Sequence, residues 1–238
     1  MPPSSEALAR ELRRVLVAAR MPPGDPAGLW HAPAAPRAVR RLGLALDPPG
    51  DVAAWIERER LDALVLHRPW HLDVAALPED VAVLAFHLAF DERLGIGYAP
   101  VLASTLGLRG ARILGRKDGR PLGMIGRVPE ASWPAWEAAI RETFGGAEGV
   151  WAGARARVRT VAAVGAMNAA LVAEAAARGA DLYLTGQLRA GARAAVEASG
   201  MHAVGVGHAR SERWALRRLG DLVARRFEGV EVVFAEPS

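Results

Sequence analysis

The sequence predicts an α/β protein of two related halves with mixed sheets, residues 1–115 and 116–238, and three observations carry that reading. Short apolar runs of strand length alternate with stretches of helical periodicity along the chain. A strand–helix–strand pattern at 42–66 recurs at 158–184, and even its ending repeats, Leu61-Asp62-Ala63-Leu64-Val65-Leu66-His67 being answered by Gly179-Ala180-Asp181-Leu182-Tyr183-Leu184-Thr185. The composition, 51% hydrophobic and 24% charged over 238 residues, is globular and excludes disordered, collagen-like and fibrous chains.

In chain order, residues 5–19 place Leu8, Leu12, Val15, Leu16 and Ala19 on one face of a Ser-capped helix, which the Pro22-Pro23-Gly24-Asp25-Pro26 run ends. A strand at 42–46, a Pro-Pro-Gly turn, a helix at 52–60 and a strand at 63–66 form the first βαβ unit. A strand at 81–86 leads through a short loop to a helix at 99–106. The Gly- and Arg-rich segment 107–121 reads as the junction between halves. The second half begins with a strand at 121–128, a helix at 132–144 that starts at Ser132 before Pro134, and a loop at 145–153. A strand at 158–164, a helix at 168–178 and a strand at 182–184 repeat the βαβ unit. A helix at 190–198, a strand at 202–206, a helix at 212–227 and a strand at 230–234 close the chain.

Two absences remove whole classes of chemistry. Without cysteine there are no disulfides, thiolate nucleophiles, iron–sulfur clusters or Cys-ligated zinc. Lys117, the one lysine, sits in a Gly/Arg turn, so a phosphate-binding P-loop is missing and a buried Schiff-base lysine is disfavoured. The net charge of +4 is too mild to mark a nucleic-acid partner. Arginines and glutamates interrupt the first twenty residues, which argues against a targeting leader. The longest apolar stretch, 161–173, contains Gly165 and Asn168 and falls short of the ~18 residues of a membrane span. A cytoplasmic protein without membrane association is expected.

Of six histidines, His67, His87 and His208 stand at or one residue beyond the end of an apolar strand run, the edge where open α/β sheets bind ligands. His87 is followed four positions later by Asp91, and His208 by Glu212. That spacing puts imidazole and carboxylate on one side of a helical turn. Such a sulfur-free nitrogen and oxygen set suits zinc, iron, manganese, nickel or cobalt. Each residue also has an ordinary structural reading: His67 as a polar strand end, Asp91 as a turn former, Glu212 as an acid in a helix's first turn. His31 and His71, beside Trp30 and Trp70 in Pro-flanked loops, read as surface or packing residues.

From Gly28-Leu29 to the last helix, these motifs resemble the Nif-three-like dinuclear metal centre family, whose members are often called GTP cyclohydrolase 1 type 2 homologues. Val65-Leu66-His67-Arg68-Pro69 stands where the family has an apolar strand ending in His-His-Pro. His87 and Asp91, followed by Gly95, Gly97 and Leu106-Gly107-Leu108, are similar to its His-x-x-x-Asp segment. Gly207-His208-Ala209-Arg210-Ser211-Glu212 matches Gly-His-x-x-Thr-Glu, and Ala180-Asp181 with Thr185-Gly186 matches Ala-Asp-x-x-x-Thr-Gly. The resemblance implies two α/β halves with the site cleft between them, metal ligands His67, His87, Asp91, His208 and Glu212, and a homo-oligomeric, hexameric ring. It also implies metal-dependent hydrolysis of a small anionic or nucleotide substrate, with Glu212 and Asp91 as the catalytic carboxylates that orient water or shuttle its proton.

This chain departs from the pattern at Arg68, at Leu88-Ala89-Phe90 in place of Thr-Asn-Leu, at Gln187 in place of Asp, and at 164–167 in place of a Gly-rich turn. A guanidinium ~5 Å from a divalent ion opposes it by about 6 kcal/mol at an effective dielectric near 20. One divalent metal or none, rather than two, is therefore expected, with Arg68 either pointing away or pairing with Asp91 or Glu212. The alternative function is a non-catalytic ring-forming metal-binding or regulatory scaffold. Nucleic-acid binding through Arg217-Arg218 and Arg225-Arg226 ranks below both, because these arginines read as the solvated face of a helix whose apolar face is Leu216, Leu219, Leu222 and Val223.

Overall fold

Backbone ladders sort the strands of this computed structural model, which describes residues 1–33, 35 and 37–235, into two mixed sheets. The chain begins with α1 (Ser5–Val15), β1 (Ala27–His31), β2 (Arg41–Ala45), α2 (Val52–Glu59), β3 (Ala63–Leu66), β4 (Ala82–Phe86) and α3 (Leu88–Leu94). Then come α4 (Pro100–Thr105), β5 (Arg109–Lys117), β6 (Arg120–Ser132), α5 (Trp133–Phe144), β7 (Gly149–Trp151) and β8 (Arg157–Val164). The last elements are α6 (Ala169–Ala177), β9 (Leu182–Thr185), α7 (Arg193–Ser199), β10 (His202–Gly205), α8 (His208–Arg226) and β11 (Glu231–Phe234).

The first sheet has the order β1-β4-β3-β2-β11, with β2, β3, β4 and β11 parallel and β1 antiparallel on the edge. In the second, β5-β6-β8-β9-β10-β7, a parallel β8-β9-β10 core is flanked by antiparallel β5, β6 and β7. The α/β class with mixed sheets is thus as the sequence predicts. The chain forms two compact units, residues 1–90 with 216–238, and 91–215. These are not divided at 115/116. Residues 109–117, read as a junction, are the edge strand β5 paired to β6, and β11 returns to the first sheet beside β2. Arginine and lysine are what an exposed sheet edge needs to discourage further pairing, and that composition imitates a linker.

In the first unit, Val52, Trp55 and Ile56 of α2 pack on Leu64, Leu66 and Val83 of the sheet. Gly43 makes room for this, since a Cβ there would lie 2.7 Å from the Trp55 ring. In the second unit, Leu171, Val172 and Ala175 of α6 and Val196 of α7 cover Ile125, Ala162, Val164 and Tyr183. Helix starts follow their capping residues: Ser4 Oγ accepts from Ala7 N, Asp51 Oδ1 from Ala54 N and Asn168 Oδ1 from Leu171 N.

Several elements differ from the sequence reading. Residues 27–31 form β1, the segment after β4 is the helix α3, and the loop at 145–153 contains β7, paired to β10. The helix expected at 190–198 opens with a 3₁₀ turn, Ala190–Ala192, before α7. The last helix starts at His208, one turn early. These pieces are three to seven residues long, too short for periodicity to declare them.

The internal repeat has a physical basis. Asp62 Oδ2 accepts from Arg40 N and Arg41 N, both at 2.8 Å, and Asp181 Oδ2 accepts from Arg159 N and Thr160 N at 2.8 and 3.1 Å. Each aspartate precedes a parallel strand and ties it to the start of its neighbour, β2 or β8. Asp62→Ala or Asp181→Ala strands two backbone donors and is expected to cost roughly 1.5–3 kcal/mol, with Asn recovering part of the loss because its amide oxygen still accepts. Urea unfolding monitored by circular dichroism reads both effects.

Candidate metal centre

The carboxyl ends of β3 and β4 lie side by side, because their register pairs Leu66 with Ala85. The residues that leave the sheet next are His67 beside Phe86, then His87. His67, 3% exposed, has Nδ1 3.1 Å from the Phe86 carbonyl. A carbonyl only accepts, so Nδ1 carries the proton and Nε2 presents its lone pair. His87 Nδ1 lies 2.8 Å from Asp25 Oδ1, and the acceptor is again an oxygen. Both imidazoles are therefore held in the tautomer that offers Nε2.

Asp91 stands one helical turn beyond His87, on α3, which is continuous from Leu88 to Leu94. Gly95 N donates to the Asp91 carbonyl at 3.2 Å, and a Cβ on Gly95 would lie 2.8 Å from that same oxygen, so glycine lets the helix stop there. One donor atom from each of His67, His87 and Asp91 lies within 4.8 Å of the others. Bonds of ~2.0–2.2 Å from one cation need donors somewhat closer than that, a change within reach of small side-chain rotations. Two imidazole nitrogens and a carboxylate oxygen fit a borderline divalent ion, and this group can hold one. Phe90 packs on the His67 ring at 4.5 Å, and Trp70, 49% exposed, meets the His87 ring edge-on at 4.8 Å.

The other two expected ligands come together as a pair in the second unit. His208, the first residue of α8, has Nε2 3.1 Å from Glu212 Oε1, with side-chain exposures of 70% and 7%. The turn before them requires glycine: Gly207 has φ +99°, and its N–H donates 2.8 Å to the Gly186 carbonyl. The glycines of two separate sequence motifs thus form one backbone bond. His202 shows what a structural histidine looks like here. Its Nδ1 accepts from Gly153 N, its Nε2 donates to the Arg155 carbonyl, and its ring stacks on Trp133 at 3.8 Å, leaving neither nitrogen to offer. His71 is exposed and His31 half-buried on β1, as surface or packing residues are.

Two residues of this region were not singled out as site residues by the sequence. The β2–β3 ladder runs on past the strand ends, with Arg68 N donating to Leu46 O at 2.7 Å, and so brings Asp47 beside Arg68. The guanidinium makes a two-bond fork, Nε to Oδ1 at 2.7 Å and Nη2 to Oδ2 at 2.6 Å, with a carboxylate the sequence reading did not name. Asp25 reads in sequence as part of a proline-rich turn. Only the pairing of β1 with β4, where Ala27 faces Phe86 and His87 N donates to Pro26 O, carries it to His87.

A family model described as Duf34/NIF3 (NGG1p interacting factor 3) matches residues 5–238. The chain is similar to a protein named GTP cyclohydrolase 1 type 2 homolog from Pseudomonas aeruginosa, at 27% identity over 161 residues, 67% of this chain and 63% of that one. It thus spans less than two thirds of that relative's length. Among solved structures it is similar to TTHA1606 from Thermus thermophilus (TM-score 0.72, 22% identity, 99% of each chain). It is also similar to a Bacillus cereus protein related to NIF3 (TM-score 0.68, 14% identity, 100% of this chain and 98% of that one). At these identities the two structures share its fold.

The Asp47 fork offsets the charge of Arg68 beside His67. Asp47→Asn is expected to weaken divalent-cation affinity by roughly threefold to fivefold at low ionic strength and by less in high salt, since the pair is partly exposed and screened. The double variant Asp47→Asn/Arg68→Gln should return towards wild type. Isothermal titration with Mn²⁺ at two salt concentrations checks both.

Proposed function

The chain belongs to the Duf34/NIF3 family, and from that premise we propose that it is a metal-dependent hydrolase resembling GTP cyclohydrolase 1 type 2, holding at most one divalent cation per chain. The observation that carries the reading is the meeting of His67, His87 and Asp91 with both histidine Nδ1 atoms turned to oxygen acceptors. A divalent cation, when bound, supplies Lewis acidity and lowers the pKa of water. His67 and His87 bind it through Nε2, and Asp91 adds an oxygen and a negative charge. In the same proposal His208 and Glu212 complete the ligand set. Glu212, whose Oε1 is paired with His208 Nε2, then takes a proton from water and returns it to the leaving group. Phe90 and Trp70 limit water around the imidazoles. The substrate proposed is a small anionic molecule of the nucleotide type, with GTP as the first probe.

A homo-oligomer, with a hexameric ring as its specific form, belongs to this reading, and exposed Leu29, Trp30 and Trp70 offer apolar surface for it. No helix among the described residues is long and apolar enough to cross a membrane, and the proposed location is the cytoplasm. A non-catalytic ring-forming metal-binding or regulatory scaffold is the second reading, favoured by Arg68 in the place of the family's second histidine.

Elemental analysis of untagged protein reconstituted with Zn²⁺, Mn²⁺, Co²⁺, Ni²⁺ or Fe²⁺ is expected to give up to one equivalent, lost in His67→Ala and His87→Ala. GTP turnover should require the metal and fall roughly 10²-fold in Glu212→Gln. A wild type that binds none of these ions even after reconstitution would overturn the hydrolase reading in favour of the scaffold, as would a loaded protein without turnover. Light scattering that gives a monomer's mass at micromolar concentration would overturn the oligomer.

A further inference from the structure

The two histidines of the centre are backed unequally, and the difference lies in a residue outside the expected ligand set. His67 gives its Nδ1 proton to a neutral carbonyl, that of Phe86. His87 gives its own to a carboxylate, Asp25, whose side chain is 6% exposed. The second oxygen of that carboxylate is also engaged, accepting from Leu88 N at 3.1 Å, at the start of the helix that carries Asp91. One buried group therefore fixes the His87 ring and the first turn of α3 together. Its place is built by the fold: Asp25 immediately precedes the stretch where Pro26 O accepts from His87 N and Ala27 faces Phe86.

We propose that Asp25 is a positioning residue of the metal centre, binding no cation itself but holding His87 as its more strongly donating nitrogen ligand. A carboxylate behind an imidazole keeps the proton on Nδ1, orients the ring and raises the basicity of Nε2. An aspartate used merely to close a turn needs neither contact. Ser4 and Asp51 cap their helices at exposed positions, whereas the Asp25 side chain is largely buried and spends one oxygen on the imidazole. The proposal rests on the reading of His67, His87 and Asp91 as ligands, and its test separates the two.

Zn²⁺ affinity of the full chain is measured by competition with a chromophoric chelator for wild type, Asp25→Asn, Asp25→Ala and His87→Ala, alongside the melting temperature of each metal-free protein. Asp25→Ala is expected to lose roughly 10- to 100-fold in affinity with all proposed ligands intact, and His87→Ala at least as much. Asp25→Asn, nearly isosteric, keeps one oxygen to accept from Nδ1 but loses the charge and turns its NH2 towards the Leu88 N–H, so it should fold with a modestly lower melting temperature and bind more weakly. A purely structural role would lower only the metal-free melting temperature and leave the Zn²⁺ affinity of the folded Asp25→Asn protein at the wild-type value, which overturns the proposal. Wild-type affinity in His87→Ala as well would overturn the ligand reading beneath it. Should Asp25→Ala fail to fold, the Asp25→Asn comparison decides alone.

Discussion

The meeting of His67, His87 and Asp91, a group that could hold a metal ion, depends on where one pair of parallel strands stops. Within β3 and β4 each backbone donor and acceptor serves the ladder, and side chains alternate between the faces of the sheet. At Leu66 and Ala85 the ladder runs out, and the carbonyl next in line, that of Phe86, is taken by an imidazole. A slip of one residue would send His67 to the opposite face and leave that carbonyl without its partner, so the same register that satisfies the backbone also aims the imidazole. The β1–β4 pairing acts in the same way from the other side, bringing Asp25 to His87. A site of this kind is assembled by sheet register before any side chain adjusts.

The two parallel cores show how one scaffold takes on different chemistry at its strand ends. Asp62 and Asp181 make the same pair of backbone bonds to β2 and β8, and Arg60 and Gly179 both precede them in the left-handed conformation. Four residues after each aspartate the strands end differently. After β3 come His67 and Arg68, a buried imidazole and a guanidinium. After β9 comes Gly186, whose carbonyl accepts from Gly207 and so sets the turn that leads into His208. The repeated part does structural work, and the part that differs carries His67 and His208.

Much of this was legible in the sequence, for reasons of length and period. Both βαβ units, the helix start at Ser132 and the histidines at strand ends are announced by runs long enough to show alternation or helical spacing. β1, α3 and β7 are not, because segments of three to seven residues carry no period. Asp25 and Asp47 were hidden for a deeper reason. Each acquires its role from a partner 62 or 21 positions away, brought close by strand pairing, and as isolated letters both are ordinary turn residues. The i, i+4 pairs were visible because helix geometry is local. The carboxylate behind His87 was not, because sheet geometry is long-range.

The fork between Arg68 and Asp47 changes what the missing second histidine means. Taken as a bare charge, a guanidinium beside His67 repels a divalent ion strongly enough to govern occupancy. With two hydrogen bonds to a carboxylate the pair is neutral overall, and much of that repulsion is offset where it arises. What Arg68 cannot do in any arrangement is donate an electron pair, since the guanidinium has five N–H donors and no acceptor. The constraint on a second cation is then the supply of ligands. His67 and His87 each offer one nitrogen, their other nitrogens being committed to Phe86 and Asp25, and His202 has both of its nitrogens engaged by backbone. Replacing Arg68 by histidine adds a donor, whereas replacing it by a neutral residue without a lone pair removes only charge, so comparing Arg68→His with Arg68→Leu separates ligand supply from electrostatics. A rise in metal stoichiometry in the histidine variant alone is the expected result, read by elemental analysis of both.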